Sequence, residues 1–383
     1  MPELVVRHPL AVGLGAIAAS AAWVVLLLKG EHQWEVAAVG ALALVLGWLL
    51  RRPALARPLA TAFTVHEGLM GGAAVLAALA VAFVFLDDHF NLLMLASVLL
   101  TATVCIGLNV QTGDAGVVNF AGASLYGAGA YAGAVVVQSG LPHILAFPFA
   151  ALVAGVMGAV LVLPLCRARG HYAAVVTIAF AMLFKGFLEV NDTLGGPQGL
   201  QVRGIDIFGW RPNRPFEMLG YDVSQYAVYL VAALALLAAS MVLAQRLERS
   251  WAGLTLDMVR ADETAAACFG IRPAVWKAIA FVFGSVLAGL AGALYAFMAG
   301  FIAPSNFTLG DSLILISIVL LGGLGNHWGT LIACLLVVLV PEKLQVLQEY
   351  RFLIFSALVV LVLLFRPQGL IPRAARLSAE AAR

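Results

Sequence analysis

Arg246–Lys277 reads RLERSWAGLTLDMVRADETAAACFGIRPAVWK. The stretch is charged and helix-forming, and an apolar run stands on either side of it. Of the whole chain, 63% of residues are hydrophobic and 11% are charged, against roughly 25% charged in a soluble protein. The fold class that follows is all-α, a polytopic transmembrane helical bundle. Within the stretch, residues 255–269 predict one helix, with Leu256, Val259 and Ala266 near one face and Asp257, Arg260, Asp262 and Glu263 on others. Gly270 is placed to end that helix as its C′ residue, and Pro273 follows. A short helix held between two spans is a lever: a partner that pushes it moves both. The competing reading is an amphipathic helix lying on the membrane surface with no partner.

A bilayer core of about 30 Å takes roughly 20 apolar residues per helix. Working outward, candidate spans are 225–245 and 276–300 beside the stretch, then 9–28, 36–50, 66–86, 91–110, 115–137, 144–163, 171–190, 309–321, 328–341 and 351–365. The spans at 309–321 and 328–341 are short enough to form a re-entrant hairpin or tilted half-spans, so ten to twelve membrane segments are expected. The first run follows Arg7 and His8, is long for a signal peptide and lacks a small-residue cleavage site before Lys29. It reads as an uncleaved span.

With these spans, Arg51, Arg52 and Arg57, then Arg167 and Arg169, then the basic residues of the opening stretch, then Arg366, Arg373 and Arg376 all fall on the side of Arg7. Glu31, Glu35, Asp87, Asp88 and the loop 191–224 fall on the other. The positive-inside rule makes the first side cytoplasmic, with both termini there. Arg203, Arg211 and Arg214 run weakly against the rule. The apolar residues Ile205, Ile207, Phe208 and Trp210 in that outer loop suit either a plain connection or a lid over the bundle.

Several functions are disfavoured. A net charge of +2 gives no bulk attraction to nucleic acid. The lysines are Lys29, Lys185, Lys277 and Lys343, and none precedes Ser or Thr, so the chain has no P-loop. HExxH, GxSxG and paired intramembrane carboxylates are also missing from the sequence, which argues against an enzyme. Cys105, Cys166, Cys268 and Cys334 show no metal or redox spacing and read as small buried hydrophobes. An ion-coupled secondary transporter would carry a relay of intramembrane acids and histidines, and Asp114 is nearly alone in that role.

A second polar break stands at Gly107–Ala134, GLNVQTGDAGVVNFAGASLYGAGAYAGA. Asn109, Gln111, Thr112, Asp114 and Asn119 cluster there, with Ser124 and Tyr126 after them. A charge at mid-bilayer costs about 2.5–3.5 kcal/mol on insertion scales, so Asp114 needs water, a partner or a helix N-terminus. Asp114 or Thr112 is placed to cap the segment that follows. Two readings stand side by side: a broken helix lining a polar pathway, or a short turn with ordinary caps. Asn109, Gln111, Asp114, Asn119, Ser124 and Tyr126 are the candidate path residues. Lys185 and Glu189 are spaced to pair along one helix face near an interface. Gly122, Gly127, Gly129 and Gly133, and Gly284, Gly289 and Gly292, suit close helix packing. Gly322, Gly323, Gly325 and Gly329 mark a sharp reversal around His327 and Trp328.

The pattern Gly253, Leu256, Arg260, Glu263, Ala266, Gly270, Ile271 resembles the cytoplasmic loop of ABC importer permeases, above all branched-chain amino acid permeases of LivM type. Gly107–Ala134, LGGPQGL at 194–200, Ala278–Phe307, VLLGGLGNHWGTLIA at 319–333 and FRPQGL at 365–370 resemble further motifs of that family, in order. The resemblance spans about Asn91 to Leu370. It divides the chain into an extension with about three spans (1–90), a permease domain (91–371) and a short tail (372–383). Departures are Glu263–Thr264–Ala265 in place of a strict EAA, and VVNFAGASLYG where the family has a pattern like LSLGHAAF.

The resemblance implies a second homologous permease subunit, two ATP-binding subunits and a periplasmic substrate-binding protein, in a bacterial inner membrane. It makes the helix at 255–269 a coupling helix and Leu256, Arg260, Glu263, Ala266, Gly270 and Ile271 its working residues. ATP would be used by the partners, leaving this chain without a cofactor. The implied cargo is a branched-chain or other hydrophobic amino acid, with urea or short amides as the alternative within the family.

Overall fold

The computed structural model describes residues 9–30, 32, 34–36, 38–40, 63, 66–165, 172–205, 216–218, 221–343, 353, 360 and 369–371. The span expected at 351–365, most of that at 36–50, the tail 372–383, Cys166, and the basic residues Arg51, Arg52, Arg57, Arg167 and Arg169 lie outside the described residues, as do Ile207, Phe208 and Trp210.

The described chain is helical. In order come α1 (Pro9–Lys29), α2 (Glu67–Val84), α3 (His89–Asn109), α4 (Gly122–Gln138), α5 (Ala146–Leu165) and α6 (Tyr172–Val190). After these come α7 (Gln225–Arg249), α8 (Trp251–Ala261), α9 (Glu263–Cys268), α10 (Pro273–Ala299), α11 (Leu309–Gly322), α12 (His327–Cys334) and α13 (Val340–Lys343). Four strands of two or three residues form two ribbons outside the bundle: β1 (Leu200–Gln201) pairs with β4 (Phe301–Ile302), and β2 (Phe216–Met218) with β3 (Tyr221–Val223). Seven described helices are long and apolar enough to cross a membrane, and Gly68–Val84 is a shorter apolar helix. This is a multi-pass membrane protein.

Two helices organise the packing. α10 lies against α3, α4 and α5, and α3 also holds α7, α11 and α12. Lipid tails give helices no hydrophobic reason to associate, so close backbone approach has to do that work. Glycine supplies it. A Cβ on Gly107 would stand 2.7 Å from the Gly284 carbonyl oxygen, and one on Gly129 would run into the Gly289 backbone. Both pairs join α10 to a neighbour, as the glycine spacing predicts.

Two ends of the bundle can be told apart by the residues that meet there. At one end Arg260 packs over Gly116, Gly113 meets Gly325, and Gly369 meets Gly323. The Leu370 amide donates to the Leu321 carbonyl there (2.7 Å). At the other end the Lys343 ammonium donates to the Leu28 carbonyl (2.8 Å), and the Ser224 amide donates to Leu86 (3.3 Å). The outer loop folds down where it is described: Val202 and Ile205 are buried, and the Val202 amide donates to Gly300 (2.9 Å). Lys185 and Glu189 pair at 3.5 Å on a half-exposed face of α6.

Candidate functional site

At the end that carries Arg260, two polar interruptions of the apolar chain meet. The first follows α3. Val110–Asp114 forms a π turn, in which the Ala115 amide reaches back to the Val110 carbonyl (3.1 Å). Single π turns inside helices recur at functional sites. The following helix does not start at 115, as the span 115–137 predicts. Residues 115–121 are irregular and α4 begins at Gly122.

The reason for the delay is a set of hydrogen bonds that the break makes with distant elements. Asn109 donates to Thr330 Oγ1 (3.0 Å) and accepts from the Gly325 amide (2.8 Å). Gln111 donates to the Phe281 carbonyl (2.8 Å) and accepts from Asn119 (2.7 Å). Asn119 in turn accepts from the Ala121 amide (2.8 Å). The Phe120 amide donates to Thr177 (3.1 Å), and that of Ala123 to Ser312 (3.1 Å). Asn109, Gln111 and Asn119 are thus buried, and their side-chain oxygens and amides are engaged, which is how polar groups survive in a membrane interior. They tie α3 to α10 and α12 and shape the turn before α4.

Neither Asp114 nor Thr112 caps that helix. Its N-cap is Ala121, with no side-chain cap, and the Thr112 hydroxyl bonds back to the Leu108 carbonyl. Local back-bonding of a threonine to the preceding turn competes with capping. Asp114 is buried at the end of the π turn (3% exposed). Ser124 lies deeper in α4, its hydroxyl buried without a partner. Tyr126 stacks in a cluster with Tyr295 (5.4 Å) and Phe307 (5.8 Å). The six candidate path residues therefore divide between a buried junction and an aromatic cluster further along α4.

The second interruption is the stretch between α7 and α10. One helix was expected over 255–269; two are found. The backbone is extended at Asp262, and its carboxylate accepts from the amides of Thr264 (2.8 Å) and Ala265 (3.1 Å), so Asp262 is the N-cap of α9. A carboxylate at a helix start satisfies orphan donors and complements the dipole. That is why the chain turns a corner there rather than continuing.

The end of α9 comes as the glycine predicts. Gly270 has φ +79°, its amide donates to Ala267 (3.0 Å), and that of Ile271 to Ala266 (3.2 Å). This double closure needs a left-handed residue at C′.

Anchors and exposed surface alternate along these two helices. Leu256 (0% exposed), Val259 (1%) and Ala266 (2%) are buried, on the expected face. Glu263 pairs with Lys277 of α10. Apart from Ala266, every residue from Arg260 to Gly270 is exposed, including Phe269 at 77%. Cys268 is exposed too, unlike the buried role expected of it, because it lies in the last turn of this projecting helix. Cys105 and Cys334 are buried as expected.

The two interruptions touch. α8 packs on the π turn, and the Arg260 stem covers Gly116. Beside them Glu248, in the last turn of α7, lies 3.8 Å from the buried His327 at the start of α12. α9 packs on α8, and α8 on the junction that holds α3, α10 and α12. Among the described residues no three metal-binding side chains cluster.

Residues 89–365 match the family model of the branched-chain amino acid transport system permease component. The chain belongs to that family. It is 32% identical to the high-affinity branched-chain amino acid transport system permease protein LivM of Escherichia coli, over 309 residues covering 77% of this chain and 73% of the relative. A probable LivM of Methanocaldococcus jannaschii is 25% identical, covering 60% and 68%. A LivH permease protein of Salmonella typhimurium is 24% identical, covering 76% and 96%. No solved structure matches.

Sequence reasoning missed part of this permease's junction. Thr330, Thr177, Ser312 and the Phe281 carbonyl come from distant parts of the chain, and nothing local marks them as partners. Asp262 was legible: an Asp directly before Glu263–Thr264 is a helix-start signal, hidden by the helical periodicity on either side.

Proposed function

We propose that this permease is the translocation subunit of an ABC importer for branched-chain or other hydrophobic amino acids. It works beside a second, related permease, as the LivM and LivH names of its relatives suggest. Two separate ATPase subunits bind and hydrolyse ATP, and a periplasmic binding protein delivers the cargo. The chain itself holds no cofactor and is not an enzyme. Arg246, Arg249, Arg260, Arg272 and Lys277 gather at one end of the bundle, and by the positive-inside rule that end faces the cytoplasm. Both termini are cytoplasmic.

The observation that carries the reading is the exposed corner Asp262–Gly270, held by a few anchors and in contact with the buried junction. An ATPase groove grips α9. Arg260, Glu263, Gly270 and Ile271 shape that projecting surface, and Leu256 and Ala266 fix it to the bundle. Closure of the ATPase dimer pushes α9, α8 transmits the push to the π turn, and the junction shifts α3 and α10 between inward and outward access. Asn109, Gln111, Asp114 and Asn119 sit at the hinge of this motion. Ser124 and Tyr126 lie further along α4, on the path side.

The test is reconstitution of the complete importer with a charge placed on the corner. Phe269 is 77% exposed, so Phe269→Asp is expected to leave the bundle folded. Uptake is expected to fall by roughly tenfold or more, as for loss of an interface hot spot, with ATPase co-purification lost or its hydrolysis no longer stimulated. Glu263→Arg should uncouple hydrolysis from uptake while insertion is retained. Normal coupled uptake by both variants overturns the docking role. Uptake that needs an ion gradient and no ATP overturns the ABC reading altogether.

A further inference from the structure

α6 carries the ion pair of Lys185 and Glu189, and packing fixes its depth. The Thr177 hydroxyl accepts from the Phe120 amide just before α4 (3.1 Å), and the Phe184 ring would stand 3.1 Å from a Cβ on Gly127. α6 and the first turns of α4 therefore rise side by side. α4 and α10 also run parallel, with Gly129 against Gly289 and Gly133 against Ala293, so their ends at Gln138 and Ala299 lie near one level.

From Gly127 to Gln138, α4 rises a further ~16 Å at about 1.5 Å per residue. Lys185 directly follows Phe184, so it stands about 15 Å below that outer level. Measured along α10, the same height lies about 20 Å above the helix start at Pro273. In an apolar core about 30 Å thick, the pair is well inside. That is deeper than the membrane interface expected from the spacing alone.

Both side chains remain open, at 39% and 44% exposure. Thr177, Ala181, Phe184 and Leu188 form the buried face of α6. Lys185 and Glu189 stand at its edge, and Met182, 64% exposed, continues their side outward. A Cβ on Gly186 would touch nothing, so the pair borders open space. Helix stability does not account for the arrangement. Glu189 lies in the last turn, where the helix dipole is already negative, and Lys before Glu is the weaker order. Lipid is a poor neighbour, because ionised side chains within a membrane turn to a bundle interior or a water-filled cavity. In an importer built on two permeases, the cavity on this outward side is the path between them.

A zwitterion crossing the apolar core needs both of its charges compensated together. The pair offers one cation and one anion 3.5 Å apart, looser than a tight charge-assisted bond. We propose, resting on the amino-acid importer reading above, that Lys185 and Glu189 form a cargo station on the path side of α6. Lys185 takes the α-carboxylate, Glu189 takes the α-ammonium, and the apolar side chain lies along Met182. Each passing amino acid replaces the intrahelical pair, which closes again behind it.

The experiment is uptake of labelled leucine by the complete importer in liposomes, with both permeases, the ATPases and the binding protein present. Lys185→Met and Glu189→Gln should each lower the maximal rate roughly tenfold or more, the factor lost with one charge-assisted hydrogen bond. The half-saturating leucine concentration, which the binding protein sets, should not move. Lys185→Arg keeps the charge and should retain uptake. The deciding variant joins Lys185→Met to Glu189→Leu, which leaves an apolar helix and no stranded charge. It should assemble fully and transport as poorly as the single variants. Wild-type uptake by this double variant, or loss of uptake in Lys185→Arg, overturns the proposal. Loss of the second permease from the purified double variant also overturns it, and assigns the pair to the contact between subunits. A wild-type importer that hydrolyses ATP and moves no amino acid overturns the amino-acid reading itself, and the station with it.

Discussion

The π-turn junction at Asn109–Asn119 and the corner at Asp262–Gly270 are both polar breaks in an apolar chain, yet they are solved in opposite ways. In the junction, Asn109, Gln111 and Asn119 are buried and bonded to residues more than a hundred positions away as well as to each other. In the corner, Asp262 and Gly270 close the helix ends locally, and the polar side chains face outward. The first is rigid because breaking any bond strands a buried group. The second closes its helix ends locally, rests on the bundle through Ala266 and Lys277, and leaves its remaining surface open. In the proposed coupling, the exposed corner is the handle and the buried junction is the fulcrum.

Variants can break or sharpen that contrast. The largest effect is expected for Gly113→Val in the junction, because a Cβ there would collide with the Gly325 backbone and Asn109. Overpacking of this kind should cost about 3 kcal/mol or more, read as loss of monodisperse protein and a lowered Tm in detergent. Gln111→Leu strands the Asn119 amide and should cost about 1–2 kcal/mol. The double variant with Asn119→Leu should cost less than the two single losses added together. An unchanged Tm for Gln111→Leu would show that this bond does not hold the junction.

At the corner the effects shrink. Asp262→Ala removes two capping bonds and should cost about 1 kcal/mol, confined to α9 and read as faster amide exchange at Thr264 and Ala265. Lys277→Gln breaks the pair with Glu263, whose side chain is 58% exposed. It should change stability by less than about 0.5 kcal/mol, while lowering stimulated ATP hydrolysis in the complete importer. A corner variant that destabilised the bundle more than Gln111→Leu would reverse the contrast.

Much of this was legible in the residues. Apolar run length placed the helices at 9–29, 89–109, 146–165, 172–190, 225–249 and 273–299 to within a few residues, because crossing a bilayer fixes the length of an apolar helix. The face of Leu256, Val259 and Ala266 and the stop at Gly270 followed from helical period and from glycine's tolerance of positive φ. Where reading failed, a local signal competed with a long-range one. The periodicity of 255–269 hid the corner because Asp262 fits the helical pattern while its carboxylate caps the next helix. Thr112 and Asp114 looked like caps because an apolar helical run follows them, but Thr112 bonds back to Leu108 and α4 begins only at Gly122.

Sequence alone determined that this chain is a multi-pass helical membrane protein with a charged handle at one end and a polar break at 107–119. Those properties depend on composition and local period, which act within a few residues. Tertiary structure decided that the handle rests on the break, that Asn109 meets Thr330 and Gln111 meets the Phe281 carbonyl, and that Lys185 and Glu189 pair well below the outer ends of α4 and α10. Hydrogen bonds and packing between distant segments depend on where the chain returns in space. Single residue types do not encode that, because an Asn satisfied by a distant Thr is the same Asn as one that faces water.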